Sequence, residues 1–256
     1  MIYLRTGVGI EIRGEDLLIS VLRSNVSAGV FTQFRRVPGF RQRDREEVRR
    51  EIDSFFKTQR ISRDNIALGV PRRDLVVRHL ELPGEVADNL KQVVRYQAQS
   101  YEPSEEDKFY FDFALLKAGQ GNKKLQVMLV MIRRSLLDSY LDVLRELGIR
   151  PAVVTGSSVA LANMFLQTSK QLDRGTMMLV DLSPAELEVV VLRDRSILCT
   201  SQVEKEEGAG WKEILLRELE AAIGKIRMGP DDELERVVLA GEAAEAAEQE
   251  LRESVE

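Results

Sequence analysis

The chain has one cysteine and one histidine in 256 residues. A lone cysteine excludes an internal disulfide and points to a reducing compartment. Cys199 sits in an apolar run and is read as a buried, inert thiol rather than a reactive one. A lone histidine excludes a histidine-rich metal site or a Ser-His-Asp triad unless another chain contributes. His79 is read as a strand-surface residue. No stretch approaches the ~18 to 20 consecutive apolar residues of a membrane span, and the N-terminus lacks the basic-then-apolar order of a secretory signal, so a cytoplasmic location is expected. Charge of one sign is also scarce. Lys+Arg 37 against Asp+Glu 42 leaves a formal charge of -5, which exerts no bulk pull on nucleic acid or an anionic membrane. The basic cluster Arg41, Arg43, Arg45, Arg49 and Arg50 is blunted by Glu46, Glu47 and Glu51, and a solvated helix face is preferred there over a lipid contact.

What is present is a repeated organisation within a chain of 44% hydrophobic content, ample for a sizeable core. Residues 8–13, 17–23 and 28–37 read as three strands joined by hairpin-length turns at Gly14-Glu15-Asp16 and Ser24–Gly29. Asp44 with Glu47 three residues on begins a helix in capping-box style. Val48, Ile52, Phe55 and Phe56 share one face of it, and Ile66–Val70 returns as a buried strand. The same order recurs after a small-residue helix at 157–167. Strands are expected near 176–181, 186–192 and 196–203, then a helix from about 211 with Trp211, Ile214, Leu215, Leu219, Ala222, Ile223 and Ile226 on one stripe. Gly229-Pro230 ends that helix, and 236–240 is the returning strand.

Residues 75–155 follow a different grammar: a strand at 75–81, a helix at 85–100, strands at 109–117 and 124–132, a helix at 135–147 closed by Gly148, and a strand at 151–155. That order is a split pair of βαβ units with its own small core. Gly119–Asn122 reads as a turn rather than a phosphate loop. Aromatics concentrate here, as Tyr96, Tyr101, Phe109, Tyr110, Phe111 and Phe113. Alternation puts half of them inward and leaves the others for a peptide-binding surface.

Two ribonuclease H-like halves with an insert of this order resemble the actin-like superfamily, and within it the pilus and secretion branch. Leu82-Pro83 before a helix, then Tyr96-Gln-Ala-Gln-Ser-Tyr-Glu-Pro103, then Asp107-Lys-Phe-Tyr-Phe-Asp-Phe113, is similar to the PilM family of type IV pilus assembly. Leu144–Val154 and the small-residue helix after it are similar too. The resemblance implies an α/β actin-like ATPase fold with subdomains 1A at 1–74, an inserted 1C-type α+β subdomain at 75–155 and 2A at 156–245. A helical extension at 246–256 would lead on to a membrane segment beyond this sequence. Only some 40 residues separate the second hairpin from the last strand, so the lobe called 2B is expected to be absent, as in the cytoplasmic domain of the type II secretion protein GspL.

Departures from the family pattern carry the functional expectation. The first phosphate hairpin, usually Gly-Ile-Asp-Ile-Gly-Ser-Ser, reads Gly9-Ile-Glu11-Ile-Arg13-Gly-Glu15. Arg13 stands where bare backbone should approach phosphate, and Glu15 adds a negative charge. The second, usually Asp-Ile-Gly, reads Asp181-Leu-Ser183-Pro184. Proline there removes a backbone donor. The adenosine motif keeps one glycine, Gly241. Glu11, Arg13, Asp181, Ser183 and Gly241 are therefore read as degenerate remnants of a nucleotide site, with no cofactor expected. A nucleotide-binding member of the family or a weak ATPase, with ATP and with Mg2+ between Glu11 and Asp181, is the alternative. A kinase is disfavoured, because neither a substrate-side base nor intact phosphate glycines is visible.

The resemblance then implies a non-enzymatic scaffold on the cytoplasmic face of the inner membrane. It would link a bitopic, PilN-like membrane protein to a motor or secretion ATPase, with a homodimer left open and no nucleic acid. Tyr96, Tyr101 and Phe109 are the expected partner contacts.

Overall fold

The computed structural model describes residues 5–24, 29–102, 108–118, 124–168, 175–206, 208–226 and 234–252. Residues 25–28 of the turn expected at Ser24–Gly29, the turn at Gly119–Asn122, the helix stop at Gly229-Pro230, and Pro103 and Asp107 of the family-like stretch lie outside them. So do the last four residues of the helical extension. The chain divides into two compact units: residues 1–76 with 91–112 and 130–157, and residues 77–90 with 113–129 and 158–256.

In the first unit, β1 (Arg5–Arg13), β2 (Asp16–Ser24) and β3 (Gly29–Val37) form the expected meander. Then α1 (Arg45–Thr58) leads to β4 (Ile66–Val70), which runs parallel to β1. A short strand, β8 (Val153–Gly156), pairs parallel with the outer side of β4, giving the sheet order β3-β2-β1-β4-β8. Period-2 alternation buries Val8, Ile10 and Ile12 of β1 and Leu17, Ile19 and Val21 of β2. Each such burial contributes about 1.5–3 kcal/mol. The start of α1 is local chemistry: Asp44 Oδ1 accepts from the Glu47 backbone N–H at 2.9 Å, as the capping pattern requires. The helix buries Val48, Ile52 and Phe56.

In the second unit, after α4 (Ser157–Thr168), the meander recurs as β9 (Thr176–Leu182), β10 (Glu186–Arg193) and β11 (Ser196–Glu204). α5 (Trp211–Ile226) follows, then β12 (Leu234–Ala240), parallel to β9. The sheet order is β11-β10-β9-β12, so the duplication read from the sequence is present in topology. Met178, Val180, Leu182, Leu187, Val189 and Val191 pack with Trp211, Ile214, Leu215 and Ala222 of α5. Ile223 departs from the expected stripe and is 39% exposed. At about 100° per residue it lies some 120° round from Trp211, whereas Glu218 falls within the stripe. That glutamate is buried and accepts from Ser201 Oγ at 3.0 Å. A last helix, α6 (Ala244–Arg252), places Glu250 at the start of α5, where its carboxylate accepts from the N–H groups of Trp211 and Lys212. Those are orphan donors of a helix N-terminus, satisfied here by an anion that also complements the helix dipole.

Residues 75–155 supply β5 (Val76–Pro83), α2 (Leu90–Ser100), β6 (Phe109–Ala118), β7 (Lys124–Arg133) and α3 (Arg134–Glu146). They contribute to both units. The three strands make a sheet of order β5-β7-β6, with β7 central. The helix expected over 85–100 opens as a 3-10 segment over Gly84–Asn89 and becomes α-helical only at Leu90. Gly148 ends α3 as expected: its φ is +72°, its N–H reaches Arg145 O, and Ile149 N–H reaches Leu144 O. Between β9 and β12, the described residues hold only β10, β11 and α5. No described helix is long and apolar enough to cross a membrane. Cys199 is half-buried and packs against the core of the second unit.

Candidate functional site

The β1–β2 hairpin pairs to its tip, with Arg13 opposite Asp16, so only Gly14 and Glu15 form the turn. Gly14 has a φ of +59°, the left-handed conformation that a two-residue hairpin needs and that glycine takes without steric penalty. Arg13 and Glu11 are two apart on a strand and share a face. Arg13 Nε donates to Glu11 Oε1 at 2.9 Å, with both side chains 25% exposed. The Arg13 guanidinium is thus turned onto the acid at the strand end. A carboxylate held this way is a weaker magnesium ligand, and any anion at the turn shares it with the exposed Glu15.

The hairpin tip is latched from the side. Asp16 Oδ1 accepts from the Gly39 N–H at 2.9 Å, Asp16 Oδ2 accepts from Arg36 Nε at 2.6 Å, and Glu15 O accepts from the Phe40 N–H at 2.9 Å. The Gly39 N–H, aided by Arg36 and opposed by burial, holds the Asp16 carboxyl below its ordinary value. A depressed carboxylate contributes stability that is fully present above the unfolded-chain value and is lost as pH falls through the folded value. The difference in melting temperature between the wild type and Asp16→Asn should therefore be largest near neutrality and shrink only below about pH 4. A difference that stays constant from pH 7 to pH 2.5 would show that the charge of Asp16 does not hold the tip. The sequence reading missed Asp16. Its only local signal was an acid immediately after a glycine turn, and its partners lie 20 and 23 residues away.

In the second hairpin the turn closes on itself. The Ser183 N–H donates to Glu186 O at 2.9 Å, Ser183 Oγ lies 3.1 Å from the same carbonyl, and the Glu186 N–H donates to Ser183 Oγ at 3.2 Å. Pro184 has no N–H to offer. Three of the four positions from 183 to 186 therefore have no donor free for an incoming phosphate, whereas an anion-binding nest needs successive free N–H groups. Ser183 is buried, 5% exposed. Asp181 is half-buried, and Glu188, 7% exposed, stands directly across from it on β10. Cross-strand partners share a face, so this acid pair was readable only once the register was known. Among the described residues, no group of three or more metal-ligating side chains forms.

Gly241 follows β12 with a φ of +95°, and a Cβ there would collide with Asp181 Oδ1 and with the backbone O and N of Leu182. Gly241 is therefore the point where the end of β12 meets the second hairpin, and the Ala243 N–H donating to Leu182 O at 3.0 Å secures it. Asp181, Ser183 and Gly241 are brought together in the second unit; Glu11 and Arg13 are brought together in the first.

Of the three expected partner contacts, Tyr96 on α2 is 63% exposed and Tyr101 just beyond it is 37% exposed. Phe109 is corrected: it is 6% exposed and belongs to the core. Alternation on β6 has the opposite sense from that expectation, and Tyr110 is the outward ring, with the Arg134 guanidinium 5.0 Å from its centroid. His79 is exposed, as expected, and its Nε2 lies 3.1 Å from Ile197 O.

The family model described as type IV pilus assembly protein PilM matches residues 36–209. No curated protein sequence matches the chain. Among solved structures, a PilM–PilN type IV pilus biogenesis complex is similar at 17% identity and a TM-score of 0.61, covering 84% of this chain and 66% of that one. The chain thus spans slightly less than two thirds of that relative. The cytoplasmic domain of EpsL, an inner membrane component of the Vibrio cholerae type II secretion system, is similar at 16% identity and a TM-score of 0.57, covering 93% and 84%. A Bacteroides thetaiotaomicron protein with an actin-like ATPase fold is similar at 12% identity and a TM-score of 0.52, covering 97% and 87%. At these identities the likenesses establish the actin-like fold.

Proposed function

Because the chain belongs to the family of the type IV pilus assembly protein PilM, we propose that it is a non-catalytic scaffold of a type IV pilus or type II secretion assembly platform. It binds a bitopic, PilN-like inner-membrane protein and docks a motor ATPase on the cytoplasmic side. The observation that carries the non-catalytic part is the self-closed Ser183–Glu186 turn, in which the Ser183 and Glu186 N–H groups are spent on the turn itself and Pro184 has none. The Arg13–Glu11 pair supports it at the other hairpin. Partner capture rests on the exposed Tyr96 and Tyr101, which offer aromatic area beside a helix that an extended cytoplasmic peptide can cover. A second reading, a nucleotide-binding member of the same fold using ATP and Mg2+, draws on Gly241, which keeps the end of β12 close against Asp181.

One experiment separates the two. Melting is followed with and without millimolar ATP and Mg2+, and capture of the partner's cytoplasmic peptide is measured under the same two conditions. The scaffold reading expects an unchanged melting temperature and equal capture, because a ligand that does not bind the folded state gives no linkage stabilisation. Tyr96→Ala should then weaken capture by about 1–2 kcal/mol without lowering the melting temperature. A rise of several degrees with ATP would favour the nucleotide-binding reading, and capture indifferent to Tyr96 would move the contact elsewhere.

A further inference from the structure

Three arginines of the basic cluster singled out from the sequence, Arg43, Arg45 and Arg49, are ion-paired within the fold, Arg50 donates to the backbone O of Glu46, and Arg41 stacks on Phe40. Arg43 lies 2.5 Å from Glu47 and 2.9 Å from Glu51, Arg45 lies 3.3 Å from Glu146, and Arg35 reaches Glu51 as well. Two further cations without a carboxylate partner stand at the other end of the same helix. Lys57 and Arg60 are exposed, and neither side chain has an ion pair or hydrogen bond among the described residues.

They stand at a cavity of about 410 Å³ lined by Asp53, Phe56, Lys57, Arg60, Ile61 and Arg63. Arg63 is fixed as part of its wall: it donates to Gly148 O at 2.7 Å and to Asp53, and its guanidinium lies 5.2 Å from the Phe56 ring centroid. Arg23 adds a further cation by donating to the carbonyl of Gln59, the residue that ends α1. Three cations against one carboxylate leave the lining at a net +2.

The backbone is strained at this spot. The Arg60 N–H reaches Lys57 O and the Ile61 N–H reaches Phe56 O, so Arg60 occupies the left-handed position of a helix C-terminus with a φ of +52°. Glycine is the usual residue there, and a larger side chain costs about 1–2 kcal/mol. α3 has Gly148 at the same position of the same motif. A strained residue that holds a charge at the rim of a cavity is the kind of outlier that marks function.

The charge of the whole chain is also divided. Residues 1–76 carry 15 Lys+Arg and 10 Asp+Glu, a net +5, while residues 158–256 carry 11 and 21, a net -10. The overall -5 hides this division.

We propose that the cavity at the C-terminal end of α1, with Lys57 and Arg60 at its mouth, binds the phosphate headgroup of an anionic membrane lipid. A free phosphate would be held by convergent donors in an enclosed site. Here the two unpartnered cations flank an open cavity on a segment of net positive charge, which is what the negative potential of a lipid surface attracts. Peptide capture through Tyr96 is a separate contact and has a separate readout.

The test is co-flotation of the protein with phosphatidylcholine vesicles with and without phosphatidylglycerol, at two salt concentrations. Binding is expected only to the phosphatidylglycerol vesicles, with loss at high salt. Each of Lys57→Gln and Arg60→Gln should weaken it roughly 5-fold, and the pair roughly 25-fold. Arg43→Gln removes the same formal charge from the same helix, but one already balanced by two carboxylates, and should change binding little. Arg60→Gly should lower binding like Arg60→Gln while raising the melting temperature, because it relieves the backbone. Failure of the wild type to bind anionic vesicles would overturn the proposal, as would equal losses for Arg43→Gln and Arg60→Gln. Saturable binding of glycerol phosphate without vesicle binding would overturn the lipid assignment in favour of a soluble phosphate.

Discussion

Gly241→Ala is expected to cost about 3 kcal/mol or more of folding stability. Two penalties add. A φ of +95° is one that L side chains rarely adopt, worth about 1–3 kcal/mol. The added Cβ also meets Asp181 Oδ1 and the backbone O and N of Leu182, and forced overpacking costs a further 1–3 kcal/mol. The backbone atoms cannot swing aside, because Leu182 is paired with Leu187 in the hairpin and its carbonyl accepts from the Ala243 N–H.

Gly175 supplies the control. Its φ is +94°, nearly the same, but a Cβ there meets only the carboxylate tip of Glu235, which can rotate away. Gly175→Ala should therefore show the backbone penalty with little of the collision. Equal losses in urea unfolding of the two variants would mean that the close approach to the second hairpin contributes nothing.

Leu129→Ala should be the most damaging change in the insert, at about 2–5 kcal/mol. Leu129 is fully buried on β7, the central strand of the three-stranded sheet, between Val127 and Met131, which are also fully buried. Truncation there removes transfer energy and leaves a cavity that close-packed surroundings fill only in part. Leu115→Ala is the same chemical change on β6, where the residue is 50% exposed, and should cost less than about 1 kcal/mol. If the insert presents the partner surface, Leu129→Ala should also reduce peptide capture near its melting range, although Leu129 itself is buried. Similar melting temperatures for the two leucine variants would place the core of the insert elsewhere.

The duplicated architecture was legible because its signals are local. Alternation over β1 and β2, the Asp44–Glu47 cap and the Gly148 stop each depend on a few neighbouring residues, and each reappears in the fold where the spacing put it. The candidate site was legible in residue type only. Arg13 in place of a glycine and Pro184 in the second turn could be read directly, but whether Arg13 faces a phosphate or Glu11 could not. A side chain that long chooses among partners according to geometry that residue order does not state.

By itself, then, the sequence determined the element order of the two copies, because hydrophobic period and capping act within a turn or a strand, whereas the stretch between them divides between the two units and its last strand, β8, joins the first sheet. The tertiary structure alone decided which of two faces is inside and which charges remain unpaired. Alternation sets Phe109 opposite to Tyr110 but not which one is covered, since that depends on what packs against the strand. Arg45 is paired because Glu146 arrives from a helix about 100 residues later, and Lys57 and Arg60 stand open because the carboxylate of their cavity, Asp53, is taken by Arg63. Pairing and facing are properties of distant segments brought together, and a local pattern carries no information about its distant neighbours.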